Sequence, residues 1–539
     1  MSFQIDDNTY PNLMAILTGF NSTQSLKECD PKLRGKLDKC PFIWKQFQNQ
    51  GFVTAYGEDE ASINTFNYLK AGFEKPPVDY YLRPFLLQAE KSLPIKKKSG
   101  MTFCLGYKHS AEYVYDYAVD FHQSISDPTS MDTRIREYFE KFSNSGVLND
   151  TIVFFFSDHG IRFGPTRSLP LGHYEERLPF MFISLPIWIK ETYPEFVTAL
   201  QVNRNRLTNP YDIHMTLQHI LQIADENNAM KPLSKAEGCH KCQTLLEEVP
   251  FNRSCEDISI EDHWCTCYSY DTVSITDKIS GRLGKAVVNH INDFVRTFPF
   301  ASKCKRLSLG SIKYILKARK EKNSLDTYRI TFYTRPNEGL FEATVRHNPK
   351  KNPEFQITGE VSRLNVYSAD SSCVADCAAK KYCSYTVYLT DKHEFDPESS
   401  PPPGYLVWSD RCQIQSLDIY DPATMELFEK QNYKKCTDKK PMTDIQFDST
   451  SQKYLITINE TYSKLYSKSN ANVKCCYQAV ERIGNLDKNV RLGRCLDIEK
   501  NVELSNDTDN IIVKCRSGNK QTYVNGYATL PERKLIRDG

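Results

Sequence analysis

Eighteen cysteines, many of them in tight groups, limit what this chain can fold into more than any other feature. The groups include CHKC (239–242), CTC (265–267), CVADC (373–377) and the adjacent Cys475 and Cys476. Two close pairs are also the usual ligand pattern of structural zinc, which would draw on Cys239, Cys242, Cys265 and Cys267. The second pair is separated by a single residue and fits a zinc ribbon poorly. Disulfides are therefore the expected state, in an oxidising compartment. N-x-S/T sequons at Asn21, Asn149, Asn252, Asn459 and Asn506 are candidate glycosylation sites there, although a chain of this length carries nearly as many by chance.

Nothing in the opening MSFQIDDNTY resembles an export signal, and no apolar run reaches the length of a membrane span. The longest candidate, LPFMFISLPIWI (178–189), is too short. A cysteine-rich chain without an export signal is expected to lack its N-terminal part and to belong in the extracellular space or the secretory lumen. A net charge of +2 gives no reason to expect nucleic acid or a membrane surface as partner.

A length of 539 residues suggests two to four domains. Up to about residue 235, amphipathic helices alternate with short apolar strands, an α/β pattern. MDTRIREYFEKFSNSGVLND (131–150) has helical apolar spacing at Ile135, Tyr138, Phe139 and Phe142. It runs into TIVFFFSDHG (151–160), a continuous apolar strand of the kind buried on both faces of a parallel sheet. From 236 to 390 the alternation changes to that of an antiparallel sheet in a smaller, disulfide-containing α+β subdomain. DPESSPPPG (396–404) marks a Pro-rich linker, placed at 391–405. A cysteine-rich module of short strands fills 406–539.

DDNTYPNLMAILTG (6–19) reads as a helix start: Thr9 or Asn12 can cap free N–H groups, and Pro11 suits the first turn. The ordinary reading is a capped helix. The same turn favours phosphate or sulfate, and a hydroxyl there could attack such a centre if a metal lowered its pKa. SDHG (157–160) closes the apolar strand, so Asp158 and His159 lie where α/β folds gather ligands. Carboxylate beside imidazole suits zinc or manganese, and the glycine lets the backbone turn away. His109 ends another strand. His173 precedes an apolar strand in LGHYEERLPFMF, and His214 opens the helix of NPYDIHMTLQHIL, with Asp212 as its cap. Arg162 completes the candidates. No Gly-rich phosphate loop, GxSxG elbow or Rossmann fingerprint is present.

TYPNLMAILTG, LNDTIVFFFSDHGIRFGPTRSLPLGHYEERLPFMFISLP and NPYDIHMTLQHIL together resemble a sulfatase-like ectodomain family, once catalogued as a domain of unknown function, in the alkaline phosphatase superfamily. The resemblance covers roughly 1–385. It implies an alkaline phosphatase/sulfatase-like sheet sandwiched by helices, with 1–235 a partial catalytic domain. It makes Thr9 the nucleophile and Asp158, His159 and His109 metal ligands. The metal implied is zinc first, with calcium or manganese as alternatives, and none if the site is degenerate; the substrate is a phosphate or sulfate ester or glycan. Relatives usually follow the third ligand with Asp, where this chain has Ser110. They also begin with an apolar strand ending in a metal-binding Asp, upstream of the nucleophile. A chain lacking that Asp is expected to be inactive or weak, or to serve as a non-catalytic binding protein. Residues 411–533 resemble the module that normally precedes the catalytic domain, as in a slice through two tandem members.

Overall fold

The structure is a computed structural model. It describes residues 4–528 except 59–60, 62–63, 99–100, 110–128, 163–166, 168–169, 226–231, 299–300, 320–324, 366–380, 384–406, 410–411, 415–438, 449–450, 452, 464–465, 467–472, 485–487, 500, 505–507, 509 and 518–519. The CVADC group, the Pro-rich linker, Ser110 and Asn506 lie outside the described residues. The chain divides into two compact units, residues 1–24 with 121–431 and residues 25–120 with 432–539.

In the first unit, helix Thr9–Thr18 ends at Gly19, whose φ of 73° closes the helix and whose N–H donates to the Ala15 carbonyl. A Cβ at Gly19 would also meet His214 Nε2 at 2.9 Å, so glycine is required on both counts. Helix Pro210–Ile223 is started by a capping box. Its cap is Asn209, not Asp212 as the sequence suggested: Asn209 Oδ1 accepts from the Tyr211 and Asp212 N–H groups, and the Asp212 carboxylate accepts from the Asn209 N–H. Asp212 also takes a two-pronged ion pair from Arg253, at 3.0 and 2.9 Å, which fastens the helix to the cysteine-rich loop.

Strand Val153–Phe156 differs from expectation. It pairs antiparallel with Met181–Ser184, and all four of its residues are half-buried. No central parallel sheet between helices is seen among the described residues. The apolar run reflects a different packing: Phe155 lies 5.1 Å from Phe180 and 5.6 Å from Phe139, ring centre to ring centre. The smaller sheet is antiparallel as expected. Tyr270–Val273, Ser308–Ala318, Asp326–Arg335, Leu340–His347 and Phe355–Arg363 lie side by side in that order. Helix Lys278–Arg296 covers it, placing Leu283, Val287, Val288, Ile291 and Val295 in one core with Ile315, Ile330, Phe332 and Phe341.

The second unit joins distant segments. Phe85, Leu86 and Ala89 of helix Arg83–Ser92 share a core with Ile512 and Val524 from strands Asn510–Ser517 and Lys520–Ala528. Phe42, Trp44, Phe66 and Phe73 form an aromatic cluster; the Phe42 and Trp44 rings are stacked at 4.2 Å.

Six disulfides are formed among the described residues: Cys29–Cys40, Cys239–Cys242, Cys255–Cys265, Cys304–Cys383, Cys475–Cys515 and Cys476–Cys495. Cys267 is disulfide-bonded as well. The zinc alternative therefore finds its four thiols already oxidised. Alkylation of the unreduced, denatured chain, mapped by mass spectrometry, is expected to leave Cys239, Cys242, Cys255, Cys265 and Cys267 unlabelled. Labelled thiols there, with zinc released by a chelator, would reverse the assignment.

Candidate functional site

The loop before helix Thr9–Thr18 is held from inside by Asn12. Its side chain is fully buried; Oδ1 accepts from the Ile5 N–H at 2.9 Å, and Nδ2 donates to the Asp6 and Asn8 carbonyls at 2.9 and 2.8 Å. Asn12 thus organises the loop and does not cap the helix. The cap position belongs to Asn8, at φ 79°, with no side-chain capping bond. With ψ at 166° this is an extended, positive-φ conformation that residues other than glycine rarely adopt, and the buried Asn12 holds it through the Asn8 carbonyl.

Thr9 opens the helix, and its Oγ1 lies 3.5 Å from His159 Nε2, across 150 residues of sequence. His159 is oriented by its other nitrogen: Nδ1 donates to the Gly160 carbonyl at 2.8 Å, which leaves the Nε2 lone pair towards Thr9. Asp158 Oδ2 lies 3.5 Å from the same Nε2 and is buried with no hydrogen-bond partner among the described residues. Gly160 has a reason that the sequence did not suggest. A Cβ there would stand 1.7 Å from the Glu175 carbonyl oxygen, and the Gly160 N–H donates to the Glu176 carbonyl at 2.9 Å. Glycine is needed because another backbone crosses it.

An ionic tether borders the site. Arg162 Nη1 donates to Asp7 Oδ1 at 3.0 Å and also to Asn8 Oδ1, while Lys381 Nζ donates to Asp7 Oδ2 at 3.1 Å. Burial alone would raise the Asp7 carboxyl, but the Lys381 ammonium and the Arg162 guanidinium outweigh it and hold it well below the usual carboxylate range. Asp6 goes the other way, pushed up to about 7 by burial and then by Glu360, against hydrogen bonds from Ser22 and the Asp7 N–H.

The other candidates lie elsewhere. His214 is a buried structural residue, its Nδ1 donating to the Ile16 carbonyl at 2.9 Å and its Nε2 meeting Gln218. His173 is buried among Arg167, Arg177, Arg329 and Glu342. His109 belongs to the second unit, paired with Cys104 at the end of a hairpin. Of the sequon asparagines, Asn149, Asn252 and Asn459 are exposed and Asn21 is partly buried. Sequence reasoning missed Lys381, which no local pattern links to Asp7, and the loop-holding role of Asn12.

The family model described as "Protein of unknown function (DUF229)" matches residues 3–128, 121–313 and 429–538. The chain belongs to the DUF229 family. Its first two matched segments contain Thr9, Asp158, His159 and Arg162; Lys381 falls outside all three. No curated protein and no solved structure gives a significant match to this DUF229 chain. No helix among its described residues is long and apolar enough to cross a membrane.

Two outcomes follow from the loop. Asn12→Ala leaves one buried N–H and two carbonyls without partners, and is expected to cost about 2–4 kcal/mol in urea unfolding. For Asp6, the folded carboxyl binds its proton more tightly than the unfolded one, which titrates near ~3.9. Its contribution to stability is full below that pKa and is lost as pH rises through about 7. Asp6→Asn is therefore expected to gain on the wild type above that range, by up to ~4 kcal/mol, and to match it in acid. Equal denaturant midpoints for the two proteins at pH values on both sides of the window would refute this.

Proposed function

We propose that this is a secreted, sulfatase- or phosphatase-like protein of metal-dependent ester hydrolase ancestry, with Thr9 as the nucleophile and weak or no turnover. The carrying observation is the convergence of Thr9, at a helix N-terminus, on the Asp158–His159 pair. Membership of the alkaline phosphatase superfamily rests on the same TYPN and SDHG residues. The division into 1–235, 236–390, a linker and a stem-like module at 406–539 is proposed as a division by ancestry.

The donor chemistry fits a divalent cation, zinc first, with calcium or manganese as alternatives. Asp158 Oδ2 is a buried carboxylate oxygen with no hydrogen-bond partner among the described residues, and His159 Nε2 keeps its lone pair because Nδ1 is the nitrogen that donates. These two atoms would hold it. When bound, such a cation lowers the pKa of a nearby hydroxyl and polarises an ester oxygen. The chain supplies the rest. The helix N-terminus favours the anionic group of a phosphate or sulfate ester. Arg162, through Asp7 and Asn8, keeps the Thr9 hydroxyl beside His159 Nε2, next to the position that the cation would take.

Weak turnover follows from ligand number. Two protein ligands fall short of the three or four that a catalytic zinc takes. The one cluster of three His, Cys, Asp or Glu donors among the described residues is Cys255, Cys265 and Cys267, whose sulfurs are in disulfides. The same shortage favours the second reading, a secreted non-catalytic protein that binds a phosphate or sulfate ester or glycan.

Hydrolysis of an aryl phosphate and an aryl sulfate by the full chain, with zinc, manganese or calcium, separates the two. Thr9→Ala is expected to lower any turnover on the order of 10³-fold or more while leaving the thermal transition in place. Turnover that survives Thr9→Ala would sink the nucleophile assignment. Saturable ester binding without turnover would establish the binding protein.

A further inference from the structure

The side chains of the ion cluster that contains His173 are separate from the Thr9, Asp158 and His159 group, and among the described residues their charges do not balance. The cluster is built by Arg167, by His173, Glu176 and Arg177 of helix Pro170–Arg177, and by Arg329 and Glu342 on adjacent strands of the antiparallel sheet. Every one of these residues is at most 8% exposed. Guanidinium groups do not deprotonate in proteins, so three arginines face two glutamates. Burial, then the neighbouring arginines, push the His173 pKa well below its usual value, so this imidazole adds no charge. Among the described residues the cluster carries one uncompensated positive charge in a dry setting, which costs several kcal/mol unless something offsets it.

The excess can be located. Arg177 is saturated, donating to the His263 carbonyl and to Glu342 at 2.9 Å and to Glu176. Arg167 also leaves its Nε without a hydrogen-bond partner among the described residues, but its charge is met at close range: it donates to the Gly172 carbonyl at 2.8 Å and sits 2.7 Å from Glu176. Arg329 is left with a long ion pair, 3.9 Å from Glu342. Its Nε and Nη1 have no hydrogen-bond partner among the described residues, and neither ring nitrogen of His173 has one. The Arg329 guanidinium carbon lies 4.6 Å from the centre of the Tyr270 ring. Tyr270 is only partly buried, so this end of the cluster is the one nearest solvent.

We propose that Arg329 and His173 bind one small monovalent inorganic anion of the chloride class. One negative charge cancels the excess, and a spherical acceptor satisfies the guanidinium N–H groups and an imidazole N–H together. A bound water would satisfy the hydrogen bonds but leave the charge. The site stands whether or not Thr9 is a nucleophile.

The test is thermal unfolding of the full chain at constant ionic strength, with sodium gluconate replaced stepwise by sodium chloride. Once the site is filled, Tm is expected to rise by about 2 °C for each further tenfold increase in chloride. Arg329→Met is expected to remove this dependence. Should Arg329→Met fail to fold, bromide soaked into crystals of the wild type is expected to give an anomalous peak against Arg329 and His173. A Tm that ignores chloride, a chloride dependence that survives Arg329→Met, or bromide bound only elsewhere would each overturn the proposal.

Discussion

Arg177 is the group on which the first unit turns. Its side chain is fully buried, and its donors reach a helix, a loop and a sheet strand through Glu176, the His263 carbonyl and Glu342. Its guanidinium also lies over the Trp264 ring at 5.1 Å, beside the cysteines at 255, 265 and 267. A charge so deeply placed is stable only while all its partners stay where they are. Arg177 ends helix Pro170–Arg177, whose Glu175 and Glu176 carbonyls crowd Gly160. The position of His159 is thereby coupled to the packing of the antiparallel sheet.

The candidate site carries both signs of electrostatic pressure within two adjacent residues. Asp7 is stabilised as a carboxylate by two cations, while Asp6 is pressed towards its acid form by burial and by Glu360. Asn12 fixes the backbone that carries both, holding the Ile5, Asp6 and Asn8 groups from one side chain.

Local features were legible in the sequence, and partnerships were not. Helical spacing around Ile135–Phe142 falls within helix Thr129–Asn144, and alternation past residue 308 corresponds to the antiparallel strands. The apolar run 153–156 announced a strand, but a run of one residue type carries no information about which strand lies beside it or in which direction. The pairing of Arg83–Ser92 with strands beyond residue 510 was hidden for the same reason. At the site, TYPN and SDHG each read as a separate hint, and their meeting could be suggested only by resemblance. Lys381 gave no hint at all, because a lone lysine shows its value only when a buried carboxylate stands against it.

The tether from Lys381 to Asp7 also has a meaning in time. Its two ends are 374 residues apart, and Cys383, close behind Lys381, is bonded to Cys304. A ribosome delivers Asp7 first and Lys381 roughly 20–75 s later at ordinary elongation rates. During that interval a carboxylate destined for burial has no ammonium to meet it. The loop before Thr9 can reach its final form only after nearly the whole first unit has emerged, so the beginning of this chain is among the last parts of it to be finished.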